Sequence, residues 1–216
     1  MAVNLVKASK QYIDYSTTMG TALGSLSSLA VSLWVNPPGA LTNDGMFNIG
    51  SFASAQGNVV MAHGGNVFCR LNNTAVTING SALSTNVWTH LLLNYTGTTF
   101  RLYKNGVQDA TANYSTAVNL TGLKTIVGAY HSLNTSFNGK FFDVRFYSAS
   151  LSLAEIATIY HSKGNDNINH DLELRALYNE GTSGATMTTP LDLSTNGYTG
   201  TPASSPTYLE APLKII

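Results

Sequence analysis

The stretch VWTHLLLNYTGTTFRLYKNGV, residues 87–107, decides the fold. It holds two apolar runs joined by Thr96-Gly97-Thr98 and closes on Asn105-Gly106. The pattern predicts a strand over 88–95, a turn over 96–98 and a return strand over 99–104. Asn-Gly then favours a type I′ turn, with positive φ at both central residues. The first strand carries apolar groups on both faces: Trp88 and Leu92 on one, Leu91, Leu93 and Tyr95 on the other. Such a strand lies centrally in its sheet and is covered, at least in part, on both sides.

The same texture continues outward. SLAVSLWV (28–35) reads as a strand that must stop at Pro37-Pro38-Gly39, because proline cannot donate to a ladder. VVMAH (59–63), NVFCRL (66–71) and AVTI (75–78) are short strands separated by the turn dipeptides Gly64-Gly65 and Asn72-Asn73. FFDVRFY (141–147) is a further central strand. Strict alternation puts Phe142, Val144 and Phe146 on one face, and Asp143 and Arg145 on the other. The expected core comprises Trp34, Trp88, Leu92, Phe100, Leu102, Phe142, Val144 and Phe146. One helix is clearly written. Ser152-Leu153-Ala154-Glu155 is a capping box, Leu153, Ile156 and Tyr160 recur at helical spacing, and Gly164 ends the run. At about three turns, this helix is expected to plug one end of a sandwich. GNDNINHD (164–171) reads as a solvated turn, LELRALY (172–178) as a strand, and the tail beyond it as loop-rich.

The bulk composition narrows the function. A chain of 216 residues suits one large β-sandwich, and no linker divides it. Charged residues make up 10% and the net charge is zero, against about 25% charged in typical domains. That argues against nucleic acid, whose phosphates call for an excess of Lys and Arg. Low charge also favours self-association. Cys69 is the single cysteine, so no intrachain disulfide can form; beside Phe68 it reads as a small buried hydrophobe. No run is long enough for a signal peptide or a membrane span.

Five elements in order, WTHLLLNY, FRLYKNG, IVGAY, FNGKFFDVRFY and LSLAEIATIY, resemble the laminin-G-like members of the concanavalin A-like lectin/glucanase superfamily. The resemblance runs from Trp88 to Tyr160. It extends to LRALYNEGTSG…LDLSTNGYTGTP (174–202), which looks like the segment that usually opens such a domain but here closes the chain. KQYIDYS (10–16) looks like the strand that usually follows it. The chain therefore resembles a circularly permuted domain over 1–216, with 172–202 completing the sandwich and 172–178 pairing near 10–16. The alternative is a C-terminal segment that completes a neighbouring copy. The resemblance implies an all-β fold: an antiparallel jelly-roll sandwich of two sheets with one short helix. It implies surface recognition, often of carbohydrate and often with calcium, but no particular activity.

Each chemistry can be weighed on residues. Glycoside hydrolysis needs two carboxylates across the sugar. The chain has only Glu155, Glu173, Glu180 and Glu210 as glutamates, none in the E-x-D-x-E type of run that the superfamily's hydrolases carry. The five histidines are dispersed, without zinc spacing, and His90 reads as a core histidine. No nucleophile elbow or phosphate loop is present. For calcium, Asp192 with Ser194 and Asn196 resembles the family's D-x-S-x-N-G loop, with Asp14 as its companion. The other reading makes Asp192 an Asx-turn residue holding its own loop. For sugar, Tyr130, His131, Asn134, Phe137 and Asn138 form one rim loop with aromatics for stacking and amides for hydroxyls; an ordinary surface loop with one packed aromatic is the competing reading.

The expectation drawn from these features is a non-enzymatic protein of a virion surface. It would be a capsid decoration, head-fibre or tail-associated adhesion protein, made in a host cytoplasm without an export signal. Its partners would be other virion proteins, further copies of itself joined through sheet edges and termini such as PLKII (212–216), and host-surface glycans. A secreted or cell-surface carbohydrate-binding module is the alternative, and a divergent hydrolase a third reading.

Overall fold

The computed structural model describes residues 1–51, 56–130 and 135–210. It is an all-β sandwich of two antiparallel sheets with few helices. In the first sheet, β4 (Leu29–Asn36) and β9 (Thr89–Tyr95) lie side by side. Next to β9 come β10 (Thr99–Lys104) and then β11 (Val107–Asn113) at the edge. On its other side, β4 pairs with β14 (Gly139–Tyr147). The far edge of β14 is shared. Its first half pairs with β1 (Ala2–Leu5), which in turn pairs with β17 (Thr207–Leu209). Its second half pairs with β15 (Leu172–Ala176).

The second sheet runs β16 (Thr201–Ala203), β2 (Tyr12–Asp14), β13 (Lys124–Val127), β5 (Asp44–Ser51), β6 (Gln56–His63), β7 (Val67–Leu71) and β8 (Val76–Asn79). A two-stranded ribbon of β3 (Ser25–Leu26) and β12 (Val118–Asn119) stands beside it. The core between the sheets takes the inward half of each strand, including Val31, Leu33, Leu91, Leu93 and Phe146 from the first sheet and Phe47, Ile49, Met61 and Cys69 from the second.

The hairpin of residues 87–107 forms as its pattern dictates. Tyr95 pairs with Phe100, and Asn105 and Gly106 have φ of 51° and 78°. β9 is covered on both faces. Leu91, Leu93 and Tyr95 enter the core, while Leu92 points outward under α2 (Leu153–Ser162). The capping box at Ser152 and Glu155 is present. The helix does not plug an end of the sandwich. Ile156 and Ile159 pack with Ala30, Leu92, Tyr103 and Tyr147 on the outer face of the first sheet. A second short helix, α1 (Thr18–Leu23), follows β2.

Four further expectations are corrected. Trp88 is only half-buried, at the mouth of its strand. Phe142 does not share a face with Val144 and Phe146. A bulge between Phe142 and Arg145, with Asp143 at φ 47°, adds one residue, so Phe141 takes the core position and Phe142 turns outward beside Trp34. Residues 172–178 do not pair with 10–16. β15 joins β14, and β16 is the tail segment that pairs with β2. The two stretches meet instead across the core, where the hydroxyls of Tyr15 and Tyr178 lie 3.3 Å apart. Finally, 164–171 is not simply a solvated turn: Asp166 is buried against Arg145. The termini at 212–216 lie outside the described residues.

Candidate functional site

Three segments converge where β5 begins: Val6–Ala8 after β1, Ala40–Asn43 after β4, and the Gly64-Gly65 hairpin between β6 and β7. They line two cavities. One, of about 390 Å³, is bounded by Val6, Lys7, Ala8, Ala40, Thr42, Asp44 and Asn138. The other, of about 530 Å³, is bounded by Leu41, Thr42, Asn43, Gly64 and Gly65. Thr42 belongs to both. Asp44 is buried; it contacts the Lys7 ammonium and accepts from the Thr42 amide at 3.0 Å. Lys7 Nζ also donates to the Thr42 carbonyl at 2.7 Å. His63 stands opposite Asp44 in the ladder, and burial pushes its pKa down.

Behind this rim lies the outer face of the second sheet. Register places Thr77, Arg70, Val60, Asn48, Ile126 and Asp14 in one cross-strand row, so these side chains share a face. Tyr130 spans the row. Its carbonyl accepts from Asn48 Nδ2 at 3.0 Å, and its hydroxyl accepts from Arg70 Nη1 at 2.6 Å. Its ring packs with Val60, Ala62 and Phe68, meeting Phe68 edge-on at 6.1 Å. The Arg70 guanidinium lies 4.5 Å from the Phe68 ring centre. Gly45 makes this approach possible: a Cβ there would sit 2.0 Å from the Tyr130 nitrogen.

The structure separates the loop residues nominated for sugar. Asn138 lines the smaller cavity, and its Oδ1 accepts from the Lys7 amide at 3.4 Å. Tyr130 borders the site but is buried, so it frames Arg70 instead of offering a free stacking face. Phe137 is a core residue, fully buried with its ring 4.6 Å from Phe141. His131 and Asn134 lie outside the described residues. The sequence did not bring Lys7, Thr42 and Arg70 to one candidate rim, because they stand in separate segments that only the fold brings together.

Asp192 and Asp14 behave as structural carboxylates. Asp192 Oδ1 accepts from the amides of Arg175 and Ser194, and Oδ2 from the Ser194 hydroxyl and the Tyr198 amide, all within 2.9 Å. Asp14 is paired with Lys124 at 2.7 Å and accepts from the Ser16 amide. Their loops do meet, at a cavity of about 310 Å³ lined by Ser16, Thr18, Asn196 and Tyr198 among others, but neither carboxylate lines it. Calcium needs several free oxygen ligands. This donor set, already turned onto N–H and O–H groups, does not fit it. No group of three His, Cys, Asp or Glu that could hold a metal ion occurs among the described residues.

Comparison with known proteins accords with this architecture. A laminin-G-type family profile of the concanavalin A-like lectin/glucanases superfamily matches residues 8–157. The chain belongs to this superfamily. No curated protein matches it. Among solved structures, a Bacteroides ovatus protein to which carbohydrate binding has been ascribed aligns with a TM-score of 0.73 at 19% identity, over 100% of this chain and 61% of that one. The chain thus spans about three fifths of that protein. The CBM40 module of a Ruminococcus gnavus sialidase, bound to α2,3-sialyllactose, aligns with a TM-score of 0.60 at 15% identity over 74% of this chain and 96% of that one. Domain 4 of a Geobacillus stearothermophilus GH43 extracellular arabinanase, in complex with arabinotriose, aligns with a TM-score of 0.51 at 18% identity over 74% and 72%. At these identities the likeness is one of fold. No helix among the described residues is long and apolar enough to cross a membrane.

Proposed function

We propose that the protein is a carbohydrate-binding domain that holds glycans without cleaving them, with the glycan seated along the rim from Asn138 and Lys7 through Thr42 to Arg70. The observation that carries this reading is the pair of adjoining cavities joined at Thr42, edged by an ammonium, an amide, hydroxyl and backbone groups. Cavities with a few placed polar groups at their edges suit sugar hydroxyls. The sugars held by the sialidase module and the arabinanase domain support this kind of occupant for the fold.

The absence of turnover is supported by what the carboxylates do. Hydrolysis needs a pair about 5–9.5 Å apart and free to donate a proton or attack. Every Asp, and Glu155 and Glu173, already accepts a hydrogen bond or ion pair within the protein, and Glu180 accepts at Oε1 while its Oε2 is buried without a partner among the described residues. Attachment to a virus particle is a finer proposal that rests on the sequence reading alone; detecting the protein by mass spectrometry in purified particles tests it. The binding proposal is tested by screening the protein on a glycan array and assaying the bound polysaccharides for released reducing ends. Binding without release is expected. Release that is lost on mutating a single carboxylate would overturn the non-catalytic reading.

A further inference from the structure

We infer that this site selects glycans that carry an anionic group, and that Arg70 is the residue that reads it; the inference rests on the carbohydrate-binding proposal above. Arg70 sits half-buried on the outer face of the second sheet. Among the described residues its one side-chain hydrogen bond runs from Nη1 to the Tyr130 hydroxyl, and Nε is buried without a partner. No carboxylate lies within ion-pair distance of it among those residues, whereas the buried Arg145 is held by Asp143 and Asp166, and Arg175 by Asp143. Asp14, the acidic member of the same cross-strand row, stands four strands away, about 19 Å at ordinary strand spacing, and is engaged by Lys124. The Lys7 charge is likewise met by Asp44. Among the described residues the rim therefore keeps one guanidinium without a counter-charge.

That guanidinium is also held in place. Phe68 lies beneath it and Tyr130 fixes one edge, while Asn48 fixes the Tyr130 backbone. A planar fork pre-set in this way loses little freedom on binding and matches an oxyanion. Sugar hydroxyls can accept its hydrogen bonds but do not offset its charge; a carboxylate or sulfate does both. The fork adjoins the cavities. Gly64, which lines the larger one, has its Cβ direction 3.6 Å from the Phe68 ring, so Arg70 stands one ring away from the cavity wall.

The test measures affinity of the full chain for matched pairs: sialylated and desialylated oligosaccharides, a polyuronate and its carboxyl-reduced form, and a sulfated polysaccharide and its unsulfated parent. At least one acidic member should bind tenfold or more tightly than its neutral partner. Arg70→Gln should abolish that preference, and Arg70→Lys should keep only part of it, because lysine retains charge without the fork. Preference for the sialylated or uronate members identifies a carboxylate ligand; preference for the sulfated member identifies sulfate. Melting curves of both variants report folding, and should Arg70→Gln not fold, the wild-type ratio and Arg70→Lys decide. Neutral and acidic members bound equally, with Arg70→Lys indifferent, would overturn the inference while leaving carbohydrate binding intact. Failure to bind any member would contradict the carbohydrate reading itself.

Discussion

Arg145 and Asp166 face each other through two hydrogen bonds, Nη1 to Oδ1 at 2.6 Å and Nη2 to Oδ2 at 2.7 Å, with the arginine fully buried. Asp143 takes the other edge of the same guanidinium, and Arg175 joins through Asp143. The pair ties the segment after α2 to the outer face of the first sheet. Removing one partner strands a buried charge, which typically costs about 3–5 kcal/mol. Asp166→Ala is expected to lose stability of that order in urea denaturation. Burial alone would raise the Asp166 pKa, but its bonds to Arg145 outweigh that and hold it well below the usual carboxylate range. A depressed carboxylate stabilises above its unfolded pKa and loses this effect only as pH falls through its folded value. The Asp166 contribution should therefore persist at pH 4.

Histidines govern the milder acid range. Burial pushes the pKa of His90 down to about 3, and its Nε2 bonds to the Ser32 hydroxyl at 2.8 Å. Between about pH 3 and 6.5 the unfolded chain binds a proton there that the folded chain does not. Stability should fall as pH drops through that window, by up to about 1.4 kcal/mol per pH unit for this group. His63, lowered by burial, adds in the same sense. Denaturation midpoints from pH 7.5 to 4 check the slope; a flat profile would contradict a neutral buried His90.

His170 works in the opposite direction. Its ring meets Asp171 on one side and Glu155 of the capping box on the other, and these contacts raise its pKa. A raised histidine contributes fully below about 6.5 and loses its contribution as pH climbs through the folded value. The group is half exposed, so the effect should stay below about 1 kcal/mol. His170→Asn should remove a small stabilisation at pH 6 and change nothing at pH 9.

Asp192 accepts four hydrogen bonds from its own surroundings. Asp192→Ala should loosen the 192–198 loop and lower the melting temperature. A resident ion would make melting depend on metal, by about 2.7 kcal/mol at a hundredfold excess over Kd. Melting in EDTA and in millimolar calcium should give the same temperature; a rise with calcium would restore the ion to this loop.

The sandwich was legible wherever one physical pattern dominated. Asn105-Gly106 specifies its turn, and Ser152 with Glu155 specifies its helix start. Leu91 to Leu93 on β9 show double coverage without saying that α2 is what covers Leu92. Alternation failed at Asp143, because a bulge adds one residue without a local sequence mark. Phe137 looked like a binding aromatic because loop membership does not reveal which way a ring turns; packing against Phe141 decides that. Asp166 looked solvated because its partner, Arg145, lies 21 residues away. Asn138 was nominated from its loop and lines the smaller cavity, but Lys7, Thr42 and Arg70 come from segments far apart in the chain. Only strand order brings them to one rim.

The central claim is that carbohydrate binds at the rim around Thr42. Thr42 is exposed and lines both cavities, so a bulky side chain there should fill them and leave the core untouched. The most direct measurement is calorimetric titration of the tightest-binding oligosaccharide into the wild-type protein and Thr42→Trp, with melting curves of each. The account predicts at least a tenfold loss of affinity at an unchanged melting temperature. Wild-type affinity in a folded Thr42→Trp protein would contradict it.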